Sequence, residues 1–254
     1  MPRIVAKQAA EDNLKVFAIA LSKDSISSLQ PVCNKVIHLG IGQTNKILKT
    51  LKNEKIKNVL MIGKVDKKVI FQTKIFDFRS LKILKNMKLK DDKSLMMVVI
   101  DELKLEGISC LDQSIFLKKL FPSKGVLTKR KSTKSEWEDI QYGFSIAKEM
   151  AQMEIGQTVV VKDKSIVAVE AMEGTDQTIM RGLKIAGKGA VVVKVSRPKQ
   201  DFRYDIPAVG ETTLSMIIKG KAAVLALEAE RTLVVNKEKM IELANKYKIS
   251  IVAV

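Results

Sequence analysis

Short runs of branched apolar residues recur along this chain and alternate with amphipathic stretches. In the second half these runs cover 158–162, 166–170, 190–195, 222–227, 232–235 and 249–254. Runs of this length are typical of strands, and the stretches between them have the apolar spacing of helices. Strands that alternate with helices fold as layers of helix on sheet. The pattern therefore predicts an α/β fold.

The length of the chain allows two such domains, because 254 residues are many for a single hydrophobic core. Residues 121–133 (FPSKGVLTKRKST) hold a proline, a glycine and a basic run, which is typical of a boundary. We predict an N-terminal Rossmann-like domain with a parallel sheet at 1–123, a linker at 124–133, and a C-terminal mixed α/β catalytic domain at 134–254. Ser135 and Glu138 have the spacing of a capping box that would open the first helix of the second domain.

The counts of two residue types exclude several functions. His38 is the only histidine, so the chain has neither a histidine-rich metal site nor a mechanism that needs two imidazoles. Cys33 and Cys110 lie far apart in apolar stretches, which predicts buried thiols in a reducing compartment. The sequence has no apolar run of membrane-spanning length and no signal peptide pattern. We therefore expect a cytoplasmic protein whose membrane contact is peripheral.

The net charge of +17 allows several partners. A basic surface can face nucleic acid, an anionic membrane or an anionic substrate. Lysine enrichment also fits a thermophile's surface, which needs no partner. The lysines are scattered, and aromatic residues make up only 5% of the chain, so platforms for stacking bases are scarce. We expect no nucleic acid partner.

Residues 169–210 concentrate charge of both signs between apolar strands. The carboxylates are Glu170, Glu173, Asp176, Asp201 and Asp205, and the cations include Arg181, Lys194, Arg197, Lys199 and Arg203. Carboxylates that can hold a divalent metal, beside cations that can bind phosphate, indicate chemistry on a phosphate ester. The alternative is ordinary surface charge.

Three parts of this stretch are placed for function. Glu170 and Glu173 follow a predicted strand at its carboxyl end, where open α/β sheets bind ligands. Thr175 and Asp176 open a predicted helix, either capping it or leaving N–H groups for phosphate. Residues 201–207 (DFRYDIP) form an irregular segment between a strand and a helix, which is where chemistry concentrates on rigid scaffolds. The alternative for that segment is a salt-bridged loop.

Two glycine-rich segments resemble nucleotide loops without completing the pattern. Gly40-Ile41-Gly42 is followed by Asn45 where a dinucleotide turn has its third glycine. Gly182 to Gly189 lacks the Ser or Thr of a phosphate loop, and a helix precedes it instead of a strand. We interpret the first as a tight strand-to-helix turn and the second as a helix end followed by a turn.

Long strings of the sequence resemble the bacterial UDP-2,3-diacylglucosamine pyrophosphatases of the LpxI type. They are EAMEGTDQTIMRG, KVSRPKQDFRYDIPAVGETT, KGVLTKR, DIQYGFSIAKEM and IGQTVVVKDKSIVAVEA. The resemblance covers nearly the whole chain and is densest from Gly125 onwards. It implies two α/β domains and Mg²⁺-dependent hydrolysis of UDP-2,3-diacylglucosamine to UMP and 2,3-diacylglucosamine 1-phosphate in lipid A synthesis. The resemblance departs at the start, where Met1-Pro2 matches only the end of the family's glycine-rich turn; we expect either that the true start lies upstream or that the chain lacks the sheet's first strand.

The resemblance also implies a set of site residues. Asp205 occupies the aspartate of the family's Arg-x-Asp-hydrophobic-Pro string, which is taken as catalytic. We assign the catalytic role to Asp205, Arg203 and Lys194; phosphate or substrate binding to Thr175, Asp176, Arg181, Gln200 and Thr212; and Mg²⁺ to Asp205, Glu170 and Glu173.

The resemblance also implies partners, and two alternative functions stay open. The expected partners are a lipid-linked UDP-sugar substrate and the anionic surface of the inner membrane, and a homodimer is left open. One rival is a pyrophosphatase of another nucleotide sugar. The other is a non-catalytic, basic nucleic-acid-binding protein, which only the net charge favours.

Overall fold

The computed structural model describes residues 1–63, 76–86 and 92–254, and these divide into two compact units. The first unit comprises Met1–Leu117 and Phe202–Tyr204, and the second comprises Lys118–Asp201 and Asp205–Val254. Helices and strands alternate in both units. The predicted α/β class is therefore confirmed.

The first unit contains short parallel strand pairs and helices. Its helices are α1 (Pro2–Glu11), α2 (Ile26–Leu29), α3 (Thr44–Asn53), α4 (Phe78–Asn86) and α5 (Asp92–Leu105), and its strands are β1 (Phe17–Ala20), β2 (Lys35–His38), β3 (Asn58–Val59) and β4 (Ser109–Cys110). Strand β1 pairs with β2 and β3 pairs with β4, both in parallel. The pairing agrees with the predicted parallel arrangement, while the Rossmann-like topology stays a prediction.

The turn at Gly40–Gly42 leads into α3, whose N-terminus binds a carboxylate of the chain itself. Asp77 Oδ2 accepts a hydrogen bond from the backbone N–H of Asn45 at 2.6 Å, and Asp77 Oδ1 accepts one from the backbone N–H of Ser80 at 2.9 Å. Burial acts to raise the pKa of Asp77, but the donors from Ser80, Asn45 and Lys46 outweigh it and lower that pKa. Because the carboxylate of Asp77 already occupies this helix N-terminus, the observation agrees with the interpretation of Gly40–Gly42 as a structural turn.

The second unit is built on a six-stranded mixed sheet. The strands of the second unit are β5 (Gly125–Val126), β6 (Thr158–Lys162), β7 (Ser165–Val169), β8 (Val191–Lys194), β9 (Ala208–Val209), β10 (Val224–Leu227), β11 (Leu233–Val234) and β12 (Ser250–Ala253), and its helices are α6 (Lys134–Gln152), α7 (Thr175–Ala186), α8 (Glu211–Lys219) and α9 (Lys237–Lys246). Strands β9 and β11 form a separate parallel pair. The order in the sheet is β5-β12-β10-β8-β6-β7. Strands β12, β10 and β8 are parallel, β6 runs antiparallel to β8 and β7, and β5 runs antiparallel to β12.

Both faces of this sheet are covered, as the apolar character of its strands requires. Val159 and Val161 face one layer with Ile140 and Ala147 of α6. Val160 faces the opposite layer, which contains residues of α7, α8 and α9. Trp137 and Phe144 of α6 are partly buried and pack against the first layer.

The segment predicted as a linker lies within the second unit. Gly125 and Val126 form β5, which pairs with Ala253 and Val252 of β12 at the edge of the sheet. The proline, glycine and basic residues that suggested a linker are compatible with a short edge strand. In the structure residues 124–133 therefore belong to the folded second unit.

The capping box of α6 lies two residues before its predicted position. Thr133 is the N-cap, its hydroxyl accepts from the Glu136 N–H at 3.3 Å, and the Glu136 carboxylate accepts from the Thr133 N–H at 2.8 Å. The prediction of Ser135 and Glu138 was wrong. The pairs Thr133/Glu136 and Ser135/Glu138 both have the spacing of a capping box, so spacing alone did not distinguish them. Arg130 binds Glu136 at 2.5 Å, which adds to the stability of the earlier start.

Candidate functional site

The candidate site lies at one edge of the sheet in the second unit. Strands β7, β8 and β10 point the same way, because β6 runs antiparallel to both β7 and β8 and because β10 is parallel to β8. Glu170 follows β7, Lys194 ends β8, and Glu228 follows β10. Charged residues thus lie at the carboxyl ends of three strands on this edge, and Glu170 follows its strand as predicted.

A buried lysine lies at the centre of the site. Lys194 is 7% exposed and its Nζ donates to Thr175 Oγ1 at 2.6 Å. The Thr175 hydroxyl in turn donates to Glu170 Oε1 at 2.9 Å. Burial lowers the pKa of Lys194, while the carboxylates of Glu170, Asp176 and Asp205 act in the opposite direction. All five of these residues were predicted as site residues, and the structure places them together.

Asp205 is held by two donors and stays accessible. Its Oδ2 accepts from Arg197 Nη1 at 2.9 Å and from Gln200 Nε2 at 2.6 Å. The Gln200 side chain is itself fixed, because Gln157 Nε2 donates to its Oε1 at 3.0 Å. The side chain of Asp205 is 43% exposed. Within the described residues no donor reaches its second oxygen, Oδ1, so that atom is available to a ligand.

Glu173 pairs with Arg181. Arg181 Nη2 donates to Glu173 Oε1 at 2.7 Å, and this bond, ahead of smaller contributions, lowers the pKa of Glu173. Arg181 also donates to the Val169 carbonyl at 3.0 Å. The two side chains are therefore engaged with each other, and Arg181 also contacts the end of β7.

The donor set bears on the predicted Mg²⁺ site. In the part of the chain that the structure describes, no three His, Cys, Asp or Glu side chains lie close enough to enclose a metal ion. Mg²⁺ is commonly held by one or two carboxylates together with substrate phosphates and water. Glu170 and Asp205, which both lie near Lys194, fit that second mode. Glu173, engaged by Arg181, fits it less well.

Two other predicted residues have different surroundings. Thr212 is exposed on α8, and its neighbour Thr213 donates to Asp176 Oδ1 at 3.1 Å. Arg203 belongs to the first unit, where its carbonyl accepts from Gln113 Nε2 at 3.4 Å and its guanidinium contacts Met97 Sδ at 3.7 Å. The roles predicted for Thr212 and Arg203 stay predictions.

Sequence reasoning missed a polar network next to Asp205. Its members are Gln157, Lys148, Ser196, Glu228 and Arg231. One signal was present in the sequence: Glu228 follows the apolar run at 222–227 as Glu170 follows the run at 166–169. Applying the strand-end rule to every strand would have found it.

Fold and site together define an α/β protein with a polar, lysine-centred site at the carboxyl edge of a sheet. Family models identify it more closely: the LpxI N-terminal domain matches residues 1–120 and the LpxI C-terminal domain matches residues 123–252. The chain belongs to the LpxI family.

Individual proteins were also compared. The chain is 31% identical over 218 residues to the UDP-2,3-diacylglucosamine pyrophosphatase LpxI of Caulobacter vibrioides, a match that covers 82% of this chain and 78% of the relative. A solved structure of Acinetobacter baumannii RibD, form 1, matches 47% of this chain and 35% of its own at 13% identity, with a TM-score of 0.28. A score that low supports no inference.

Proposed function

We propose that this chain hydrolyses the pyrophosphate bond of UDP-2,3-diacylglucosamine, with Mg²⁺, to UMP and 2,3-diacylglucosamine 1-phosphate in lipid A synthesis. Membership of the LpxI family confirms the predicted enzyme class, a hydrolase of pyrophosphate bonds. The substrate comes from the name of the Caulobacter vibrioides relative. The single observation that carries the proposal is the grouping of Lys194, Thr175 and Glu170 with Asp205 at the carboxyl edge of the sheet.

The residues of the site suit attack of water on a diphosphate. Water adds to one phosphorus, the bond from that phosphorus to the bridging oxygen breaks, and a proton leaves the water. Asp205 Oδ1 can accept that proton, because Arg197 and Gln200 hold only Oδ2. The fixed orientation of this carboxylate means that little reorganisation is needed during the reaction.

Lys194 would stabilise negative charge on the phosphoryl oxygens. Its buried position makes such an interaction stronger than it would be in water. The first turn of α7 adds backbone N–H groups, because Gly174 caps the helix without a side-chain hydrogen bond. Mg²⁺ would be held by Glu170 and, as the alternative to its role as proton acceptor, by Asp205 Oδ1; the chemistry Mg²⁺ supplies when bound is neutralisation of charge on the diphosphate.

The proposal extends to place and partners. An acylated substrate and a net charge of +17 favour a protein that acts at the anionic inner surface of the inner membrane. Among the residues that the structure describes, none of the helices has both the length and the apolar composition to cross a bilayer. Membrane contact would then be peripheral, and a homodimer is compatible with this arrangement.

The test is release of UMP from UDP-2,3-diacylglucosamine by the full chain. We expect release with Mg²⁺, loss of release in EDTA, and recovery when Mg²⁺ is restored. UDP-N-acetylglucosamine, which lacks the acyl chains, is the matched comparison and is expected to be a poor substrate. Equal turnover of both would favour a pyrophosphatase of another nucleotide sugar. No turnover by a folded sample, with duplex binding that weakens steeply with salt, would favour the nucleic-acid-binding alternative.

A further inference from the structure

The carboxylate of Glu228 organises the backbone that follows β8. The side chain is 12% exposed. Glu228 Oε2 accepts from the backbone N–H of Ser196 at 2.7 Å and from the Ser196 hydroxyl at 3.1 Å. Lys148 of α6 donates to Oε1 at 2.9 Å and also to the Ser196 carbonyl at 3.0 Å. Both ends of Ser196, a residue with no exposed surface, are thus held by the Glu228–Lys148 pair.

Arg231 extends this hold by one residue towards the site. Its Nε donates to Ser196 Oγ at 2.6 Å, and its Nη2 donates to the Arg197 carbonyl at 3.2 Å. Arg231 also forms an ion pair with Glu228 at 3.7 Å. The backbone on both sides of Arg197 is consequently fixed, since the Arg197 N–H donates to Gln200 Oε1 at 3.0 Å.

Arg197 connects the network to the reacting group. Its Nη1 donates to Asp205 Oδ2, the same oxygen that Gln200 binds. The chain of contacts runs from Glu228 through Ser196 to Arg197 and Asp205. We propose that Glu228 is a positioning residue, which sets the orientation of Asp205 through Ser196 and Arg197. This inference rests on the proposed function where it concerns turnover.

A second buried ion pair serves as a control that distinguishes a positioning role from a role in stability. Glu136 pairs with Arg130, its side chain is 14% exposed, and Arg130 Nη1 donates to the Ala223 carbonyl at 3.5 Å. Ala223 lies just before the start of β10, whereas Glu228 follows its end. The two glutamates are similarly buried and each pairs with a cation, and the partner of Glu136 contacts the backbone at the other end of β10. Only Glu228 is connected to Asp205.

The kinetic experiment compares Glu228→Gln with Glu136→Gln in the full chain. Both variants lose a buried negative charge, so both are expected to melt at a lower temperature than wild type. For Glu228→Gln we expect kcat to fall roughly 10- to 100-fold, as happens when groups that orient a site are removed, with KM changed less than about threefold. Glu136→Gln is expected to keep the kcat of wild type. Equal kcat values for the two variants, or a fall in kcat that matches the lower melting temperature in both, would overturn the proposal.

Hydrogen exchange tests the positioning without any turnover. We expect Glu228→Gln to increase deuterium uptake at residues 195–205 and to leave β6, β10 and β12 protected as in wild type. Glu136→Gln should leave 195–205 unchanged. Uptake that rises evenly through the sheet would contradict a positioning role. A wild type that releases no UMP would contradict the proposed function alone, and the exchange data would still decide the role of Glu228.

If the Glu228→Gln protein does not fold, a second variant, Arg231→Gln, tests the same proposal. Arg231→Gln removes the bonds to Ser196 Oγ and the Arg197 carbonyl while Glu228 keeps Lys148 and Ser196. The proposal predicts the same pattern, a lower kcat and faster exchange at 195–205. Wild-type values in both measurements would overturn it.

Discussion

The hydroxyl of Thr175 forms hydrogen bonds with two neighbouring side chains. It accepts from Lys194 and donates to Glu170, and it does not cap α7, whose N-cap is Gly174. A buried ammonium without a partner would be costly, so this hydroxyl stabilises Lys194 where it lies. Thr175 therefore connects the cation of the site to its carboxylate.

Replacing Thr175 tests this connection. Thr175→Val keeps the shape of the side chain and removes the hydroxyl, and we expect kcat to fall by about 10- to 100-fold. Thr175→Ser keeps the hydroxyl and is expected to retain most of the activity. The measurement is the steady-state release of UMP by both variants. Similar losses in Val and Ser would show that the hydroxyl is not what matters.

The positions of some site residues could be predicted from the sequence, whereas the contacts of others could not. Glu170 follows a strand, so the strand-end rule placed it correctly, whereas Lys194 was assigned through the family resemblance. The pairing of Glu173 with Arg181 could not be predicted, because it depends on which rotamers two exposed side chains adopt. Thr213 and not Thr212 reaches Asp176, since one residue on a helix changes the direction by about 100°.

Among the secondary-structure elements, α7 packs closely on the sheet at Gly182. A Cβ at that position would lie 2.6 Å from Val160 Cγ2 and 2.9 Å from Ala168 Cβ. Both neighbours belong to the strands of the β6–β7 hairpin, which cannot move without disturbing the sheet. The small side chain lets the helix that carries Thr175 approach the strand ends.

Gly182→Ala should consequently destabilise the protein, even though alanine favours helices. We expect overpacking to lower the free energy of unfolding by about 1–3 kcal/mol. Lys184→Ala, an exposed position on the same helix, should change it by less than about 0.5 kcal/mol. Urea unfolding of both variants measures this. A Gly182→Ala protein as stable as wild type would contradict the close packing.

The cap of α6 gives a dependence of stability on pH. Burial acts to raise the pKa of Glu136, but Arg130 and Thr133 outweigh it and hold the pKa below its usual 4.5. A carboxylate whose pKa is lower in the folded state contributes its full stabilisation when the pH is above its pKa in the unfolded state. This contribution is lost as the pH falls through its pKa in the folded state.

The difference in unfolding free energy between wild type and Glu136→Gln isolates that contribution. We expect the difference to be constant around neutral pH and to shrink once the pH falls below 4.5. Urea unfolding at a series of pH values measures it. A difference that grows in acid would reverse the sign of the inferred shift.

Elements with strong local signals matched the prediction closely. Helix α7 begins at Thr175 and ends before Gly187 as predicted, because glycines precede and follow its apolar periodicity. Strand β5 was missed, since its partner Val252 lies 126 residues away in the sequence and no local pattern specifies the pairing. Helix starts also remained ambiguous where two capping patterns overlapped, as at Thr133 and Ser135.

For the whole molecule, the net charge is the property that acts at long range. With a charge of +17 the chain should bind vesicles that contain anionic lipid, with roughly 1 kcal/mol for each Lys or Arg near the surface. We expect co-sedimentation with vesicles of phosphatidylglycerol and phosphatidylcholine, none with phosphatidylcholine alone, and less binding as salt increases. Binding that is independent of lipid charge would contradict an electrostatic contact.

The most direct test of the whole account is the turnover of Asp205→Asn. This change keeps the size of the side chain and removes the charge that Arg197 and Gln200 orient. Asp163→Asn is the matched control, because Asp163 is an exposed aspartate of the same unit, in a turn with φ of 48° that asparagine also tolerates. With UDP-2,3-diacylglucosamine and Mg²⁺, we expect Asp205→Asn to lose at least about 100-fold in kcat while melting like wild type, and Asp163→Asn to match wild type. Near-normal turnover by a folded Asp205→Asn protein would remove Asp205 from the mechanism and contradict the site described above.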